Sequence, residues 1–114
     1  MHELSIAQSI LSIADNALAG NKFSKVSAIK IQVGELSGIE TDALLFSFNI
    51  IKSDTVLNEA NLDIEIIPGE AVCNKCNTVF HLERFGNACP NCNDYSMHIL
   101  KGKEMKVLNL VVED

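Results

Sequence analysis

Two cysteine pairs, Cys73-Asn-Lys-Cys76 and Cys89-Pro-Asn-Cys92, lie twelve residues apart and constrain this chain more than any other feature. C-x2-C, twelve residues, C-x2-C is the spacing of a tetrathiolate zinc site. Two residues between cysteines permit a tight knuckle whose sulfurs face one ion while backbone amides turn towards them. Such knuckles need left-handed backbone just after the second cysteine, a place usually held by glycine. Asn77 and Asn93 stand there, and asparagine tolerates that conformation best among the other residues. About 29 residues around the pairs cannot bury enough apolar surface to fold alone, so the expected Zn2+ supplies the folding free energy. Four thiolates close the coordination sphere, which makes the expected role structural. The same ligands could hold rubredoxin-like iron, and a CxxC redox pair is a further reading, although it leaves the second knuckle unexplained. His81 and His98, in or beside the module, read as exposed polar residues, with occasional exchange onto a metal as the second reading.

The rest of the chain alternates between helix and strand patterns. Residues 4–19 place Leu4, Ala7, Leu11, Ala14 and Leu18 on one helical face, widened by Ile6, Ile10, Ile13 and Ala17. Ser5 with Gln8 fits a capping box, and Gly20-Asn21 fits a left-handed stop. KVSAIKIQV alternates as a half-buried strand with Ile29, Ile31 and Val33 inward. GELSGIETD supplies a loop in which Thr41 or Asp42 can cap a second helix running to about Lys52, with Leu44, Phe48 and Ile51 inside. NLDIEII is a second strand ended by Pro68-Gly69, and KEMKVLNLVVED a third. The expected fold is α+β: a small three-stranded sheet with two helices, formed by residues 1–69 and 99–114, plus an inserted zinc-ribbon-like domain at 70–98.

With 114 residues there is room for one ordinary domain or a small domain with an appended module. A net charge of -6 and scattered Lys and Arg argue against nucleic acid as a partner. No apolar run reaches the length of a membrane span, and His2, Glu3 and Gln8 interrupt any secretory signal, so a cytoplasmic protein is expected. In that reducing compartment paired cysteines favour metal over disulfides.

Directly after the initiator methionine stand His2 and Glu3. The His2 imidazole, its backbone nitrogen, the Glu3 backbone nitrogen and the terminal amine can converge on one ion in fused chelate rings. Planar nitrogen coordination of this kind selects Ni(II) or Cu(II) over tetrahedral zinc.

MHELSIA, VGELSGIE, CNKC and CPNC at this spacing, and the closing strand, together resemble the HypA/HybF family of hydrogenase nickel incorporation proteins, over nearly the whole chain. The resemblance implies a nickel metallochaperone, not an enzyme, that delivers Ni2+ for [NiFe]-hydrogenase maturation. It implies His2 as the essential nickel ligand, with Glu3 contributing through backbone and side chain; Glu40 matches an acidic residue that approaches nickel in some members, the other reading being a loop carboxylate stabilised by the dipole at a helix start. Cys73, Cys76, Cys89 and Cys92 are the implied zinc ligands. Implied partners are the GTPase HypB, the hydrogenase large subunit or its maturation complex, and urease maturation proteins; a weak homodimer is a candidate assembly. Some family members carry His beside the second cysteine of a pair, where this chain has Asn77 and Asn93. The competing reading is a zinc-ribbon interaction or nucleic-acid module with an incidental His2.

Overall fold

The computed structural model describes residues 3–18 and 25–113. The elements run α1 (Glu3–Leu18), β1 (Lys25–Gly34), α2 (Thr41–Ile51), β2 (Asn61–Ile67), β3 (Glu70–Cys73), β4 (Val79–His81), β5 (Met97–Lys101) and β6 (Met105–Glu113). Among the described residues they form two three-stranded sheets, ordered β2-β1-β6 and β4-β3-β5, and with two helices the fold is α+β as the patterning predicts. The chain divides into two compact units, one of Met1–Ile31, Ile39–Glu65 and Val107–Asp114, the other of Gln32–Gly38 and Ile66–Lys106.

In the first unit α1 packs against α2. The period of 3.6 residues brings Ala7, Ile10, Ala14 and Leu18 to one stripe of α1, and these are its buried residues. Leu44 and Phe48, four apart, do the same for α2, and Val26, Ile29 and Ile31 of β1 are fully buried. The expected stripe was wider than the face that packs: Leu4, Ile13 and Ala17 are exposed, as are Phe46 and Ile50 of α2. A two-helix layer covers one face of each helix and leaves the opposite face to solvent.

Both expected caps differ in the structure. α1 starts at Glu3, so Ser5 sits inside its first turn instead of capping it, and the expected stop at Gly20-Asn21 lies outside the described residues. Glu40, in extended conformation (φ -82°, ψ 111°), holds the cap position of α2 in place of Thr41 or Asp42, and no side chain of its own bonds the helix end. Composition alone cannot tell which of several adjacent polar residues takes the extended conformation that ends a loop.

The second unit is built on β3, which pairs antiparallel with β4 on one side and β5 on the other. Ala71 lies opposite both Phe80 and Ile99, and a register irregularity between Glu70 and Ala71 leaves Leu100 as an extra residue on β5. Leu36, Ala71, Cys73, Phe80, Leu82 and Cys89 form the core, with Cys76, Met97 and Ile99 packed against it. The sequence boundary at 98/99 therefore falls inside a strand, because Met97–Lys101 pairs with Glu70–Cys73 before β6 begins.

Where the first strand enters this unit, three glycines meet. A Cβ on Gly34 would run into the Gly102 carbonyl, and one on Gly69 into the Leu82 carbonyl, so both positions need a residue without a side chain. The approach is held by Gly34 N–H to Glu104 (2.6 Å), Leu36 N–H to Gly102 (2.7 Å) and Leu82 N–H to Gly69 (2.8 Å). Charge divides unevenly between the units: ten acidic and four basic side chains in the first, five of each in the second.

Candidate metal centre

Each cysteine pair sits on a turn whose backbone closes on itself. In the first, Asn77 N–H donates to the Cys73 carbonyl (2.9 Å) and Cys73 N–H to the Thr78 carbonyl (2.9 Å). In the second, Asn93 N–H donates to the Cys89 carbonyl (2.8 Å) and Cys89 N–H to the Asp94 carbonyl (2.9 Å). The turns are near copies. Asn77 (φ 62°) and Asn93 (φ 65°) both adopt left-handed backbone, as the spacing predicts, which lets the chain turn away after the second cysteine without a glycine. Within each pair the amide two residues on points back at the first sulfur: Lys75 N–H to Cys73 Sγ and Asn91 N–H to Cys89 Sγ, both 3.4 Å.

The four sulfurs converge, all within 4.8 Å of one another. Cys73 Sγ lies 3.5 Å from Cys92 Sγ, and Cys76 Sγ 3.6 Å from Cys89 Sγ. A tetrahedron of zinc–sulfur bonds of about 2.3 Å has edges of about 3.8 Å, close to these separations. A disulfide needs about 2.05 Å, and all four cysteines are free thiols. The donor set, the spacing and the inward N–H groups fit Zn2+, which Cys73, Cys76, Cys89 and Cys92 would hold and which would supply a cross-link for a small core.

The electrostatics agree with a site made for a cation. Cys76 is pulled down to about 5, first by the Thr78 hydroxyl and then by the Asn91 amide. Cys92 is pushed up to about 12: the Asp94 backbone N–H favours its thiolate, but desolvation and the sulfurs of Cys73, Cys76 and Cys89 outweigh it. Four sulfurs in one small volume cannot all ionise unaided, and a dication removes that conflict. Cys73 and Cys89 are buried, Cys76 is half-buried and Cys92 is exposed.

His81 and His98 stand apart from the sulfurs, on β4 and β5, and both are exposed. His81 has a partner that the sequence does not announce. Its Nε2 lies 2.7 Å from Glu35 Oε1, which also accepts the Gly69 N–H at 2.9 Å. These contacts, the Gly69 amide first and His81 second, hold the Glu35 carboxyl below its usual range.

At the other end of the chain, His2 lies outside the described residues. Glu3 and Glu40, 37 positions apart, are brought together: the Glu40 N–H donates to Glu3 Oε2 at 3.3 Å. The first residue of α1 thus places a carboxylate at the start of α2, where the positive end of the helix dipole favours it. Sequence reasoning missed two residues around the sulfurs, Thr78 and the side chain of Asn91. Their one signal was position, Thr78 two residues after a cysteine and Asn91 between two.

The family model described as "Hydrogenase/urease nickel incorporation, metallochaperone, hypA" matches residues 1–112 of this chain. The hydrogenase maturation factor HypA of Legionella pneumophila (strain Lens) is 38% identical over 113 residues, 99% of this chain and 100% of its own length. That of Albidiferax ferrireducens is 39% identical over 114 residues, again 99% of this chain and 100% of its own. Among solved structures, the solution structure of the Ni metallochaperone HypA from Helicobacter pylori is similar with a TM-score of 0.66 at 26% identity, covering 97% of both chains.

Proposed function

The chain belongs to the HypA family of hydrogenase/urease nickel-incorporation metallochaperones, and on that premise we propose that it carries Ni(II) at its N-terminus to the maturation machinery of a [NiFe]-hydrogenase. Nickel is cargo, bound by the His2 imidazole together with backbone nitrogens of His2 and Glu3. The observation that carries this reading is the family match from residue 1, which takes in the Met-His-Glu start. The helix geometry supports it: Glu3 is the first residue of α1, and the first N–H groups of a helix have no partner within it. A backbone nitrogen at a helix start is a position from which a metal can be bound, while the Glu3 carboxylate is engaged at Glu40. Glu40 adds a second carboxylate near that end, and we assign it a supporting role towards nickel.

The division of labour follows the division of the chain. Nickel belongs to the helical domain, residues 1–69 and 99–114 as read from the sequence, and zinc to the cysteine domain at 70–98, which the compact unit extends to Ile66–Lys106 with Gln32–Gly38. A closed tetrathiolate set retains its ion, whereas a few ligands at a chain end can release theirs, which suits transfer and not catalysis. The receiving partners on this reading are the GTPase HypB and the hydrogenase large subunit in the cytoplasm, with urease maturation proteins as further recipients. No helix among the described residues is long and apolar enough to cross a membrane.

Nickel titration of the untagged protein beside His2→Ala tests the proposal. We expect His2→Ala to abolish specific nickel binding with unchanged circular dichroism and one zinc per chain in both proteins. Nickel affinity equal to the parent's would refute the terminal site. Lowering pH through the imidazole range should weaken nickel in the parent, since a protonated imidazole has no lone pair to donate.

A further inference from the structure

The four sulfurs are not equivalent, and the inequality comes from side chains. Asn91 lies in the second knuckle, yet its Nδ2 reaches the first, 3.5 Å from Cys76 Sγ and 3.2 Å from Thr78 Oγ1. Thr78 closes the triangle: the Cys76 thiol donates to its Oγ1 at 3.2 Å. Once the sulfur is a thiolate the hydroxyl turns to donate instead, and Asn91 continues to donate. Cys76 therefore has two side-chain donors from two different turns. Cys73 and Cys89 are buried and each takes a backbone N–H from its own turn. Cys92 is the most exposed of the four residues; apart from the other sulfurs its partner is a backbone N–H of Asp94, with no hydroxyl or amide side chain beside it among the described residues.

We propose that Asn91 is a positioning residue that clasps the two knuckles together through Cys76 and Thr78, so that the tetrathiolate site opens at Cys92 and not at Cys76. The proposal rests on the reading that the four cysteines hold zinc. Hydrogen bonds to a metal thiolate draw charge from the sulfur, which lowers its nucleophilicity and fixes its direction. A donor that spans both turns also resists their separation, which is the motion that loss of an ion requires. A sulfur that is exposed and held from one side is the one that reagents reach first and that leaves the ion with least rearrangement.

The experiment uses the full chain with its metal, and begins with metal analysis and the sulfur-to-metal charge-transfer bands of the Co(II)-substituted form. The zinc protein is then treated with N-ethylmaleimide, whose alkene carbon bonds to sulfur while solvent protonates its neighbour, and the first-modified cysteine is identified by peptide mass spectrometry. We expect Cys92 first in the parent. In Asn91→Ala and Thr78→Val we expect zinc release to a chelator to quicken about tenfold, the lower end of what outer-shell partners contribute, and Cys76 to join Cys92 among the first-modified residues. Thr78→Ser keeps the hydroxyl and should restore the parent pattern. First modification of Cys76 in the parent would overturn the proposal even if a variant fails to fold. Release rates and charge-transfer bands unchanged in both Asn91→Ala and Thr78→Val would overturn it as well. A parent that carries no metal and forms no Co(II) site would instead overturn the tetrathiolate reading, and this inference with it.

Discussion

Glu35 accepts from two directions, the Gly69 amide and the His81 ring, and so ties the end of β1 to the strands that carry the first cysteine pair. Because these contacts lower its folded pKa from 4.5, the stability it contributes is present above that unfolded value and is lost as pH falls through the folded one. We expect Glu35→Gln to lower the unfolding midpoint of the zinc protein at pH 6 and the gap between parent and variant to close as pH is taken below 4.5. The gap is the quantity to measure, since acid also protonates the cysteines in both proteins. An unchanged gap across that range would remove Glu35 from the account. Residues differ in how far the sequence exposes their roles. Asn77 and Asn93 were legible because a knuckle dictates a backbone angle and few residues tolerate it. Glu35 was not, because its partners lie 34 and 46 positions away and nothing local marks a long-range hydrogen bond.

Elements were legible where periodicity and burial coincide. β2 spans the seven residues that alternation marked, and β1 buries Ile29, Ile31 and Val33 as expected. β5 was not, since its five residues follow the cysteine module and resemble the start of the next strand until their pairing with β3 is known. The meeting of Gly34, Gly69 and Gly102 belongs to the same scale, because it sets how closely these backbone segments, all within the second unit, can pass. Gly34→Ala would force backbone apart, since its Cβ meets carbonyl and amide atoms and not a movable side chain end. We expect a loss of about 2 kcal/mol or more, in the range of overpacked cores, read as a lower urea midpoint with the slope unchanged. Wild-type stability in Gly34→Ala would mean that this junction relaxes.

At the scale of the whole molecule the sequence pointed to two regions for metal, the cysteine cluster and the proposed terminal site, because cysteine spacing and the Met-His-Glu start are both local signals. What it could not disclose is that Glu3 and Glu40 meet, a contact that depends on how α1 lies against α2. Nor did it disclose that the excess negative charge falls on one side of the division, ten acidic against four basic side chains in the unit that contains the N-terminus. If nickel binds at the proposed terminal site, that imbalance acts on arrival rather than on residence. A divalent cation diffusing from solution is drawn by the summed field before it touches any ligand, whereas its escape depends on short bonds that a distant field barely alters. Salt thins such a field, whose reach at physiological ionic strength is about 8 Å. Stopped-flow measurement should therefore find nickel association slowing several-fold between low and physiological salt while dissociation stays nearly constant. Equal salt dependence in the two rates would mean that the acidic surface takes no part in bringing the ion in.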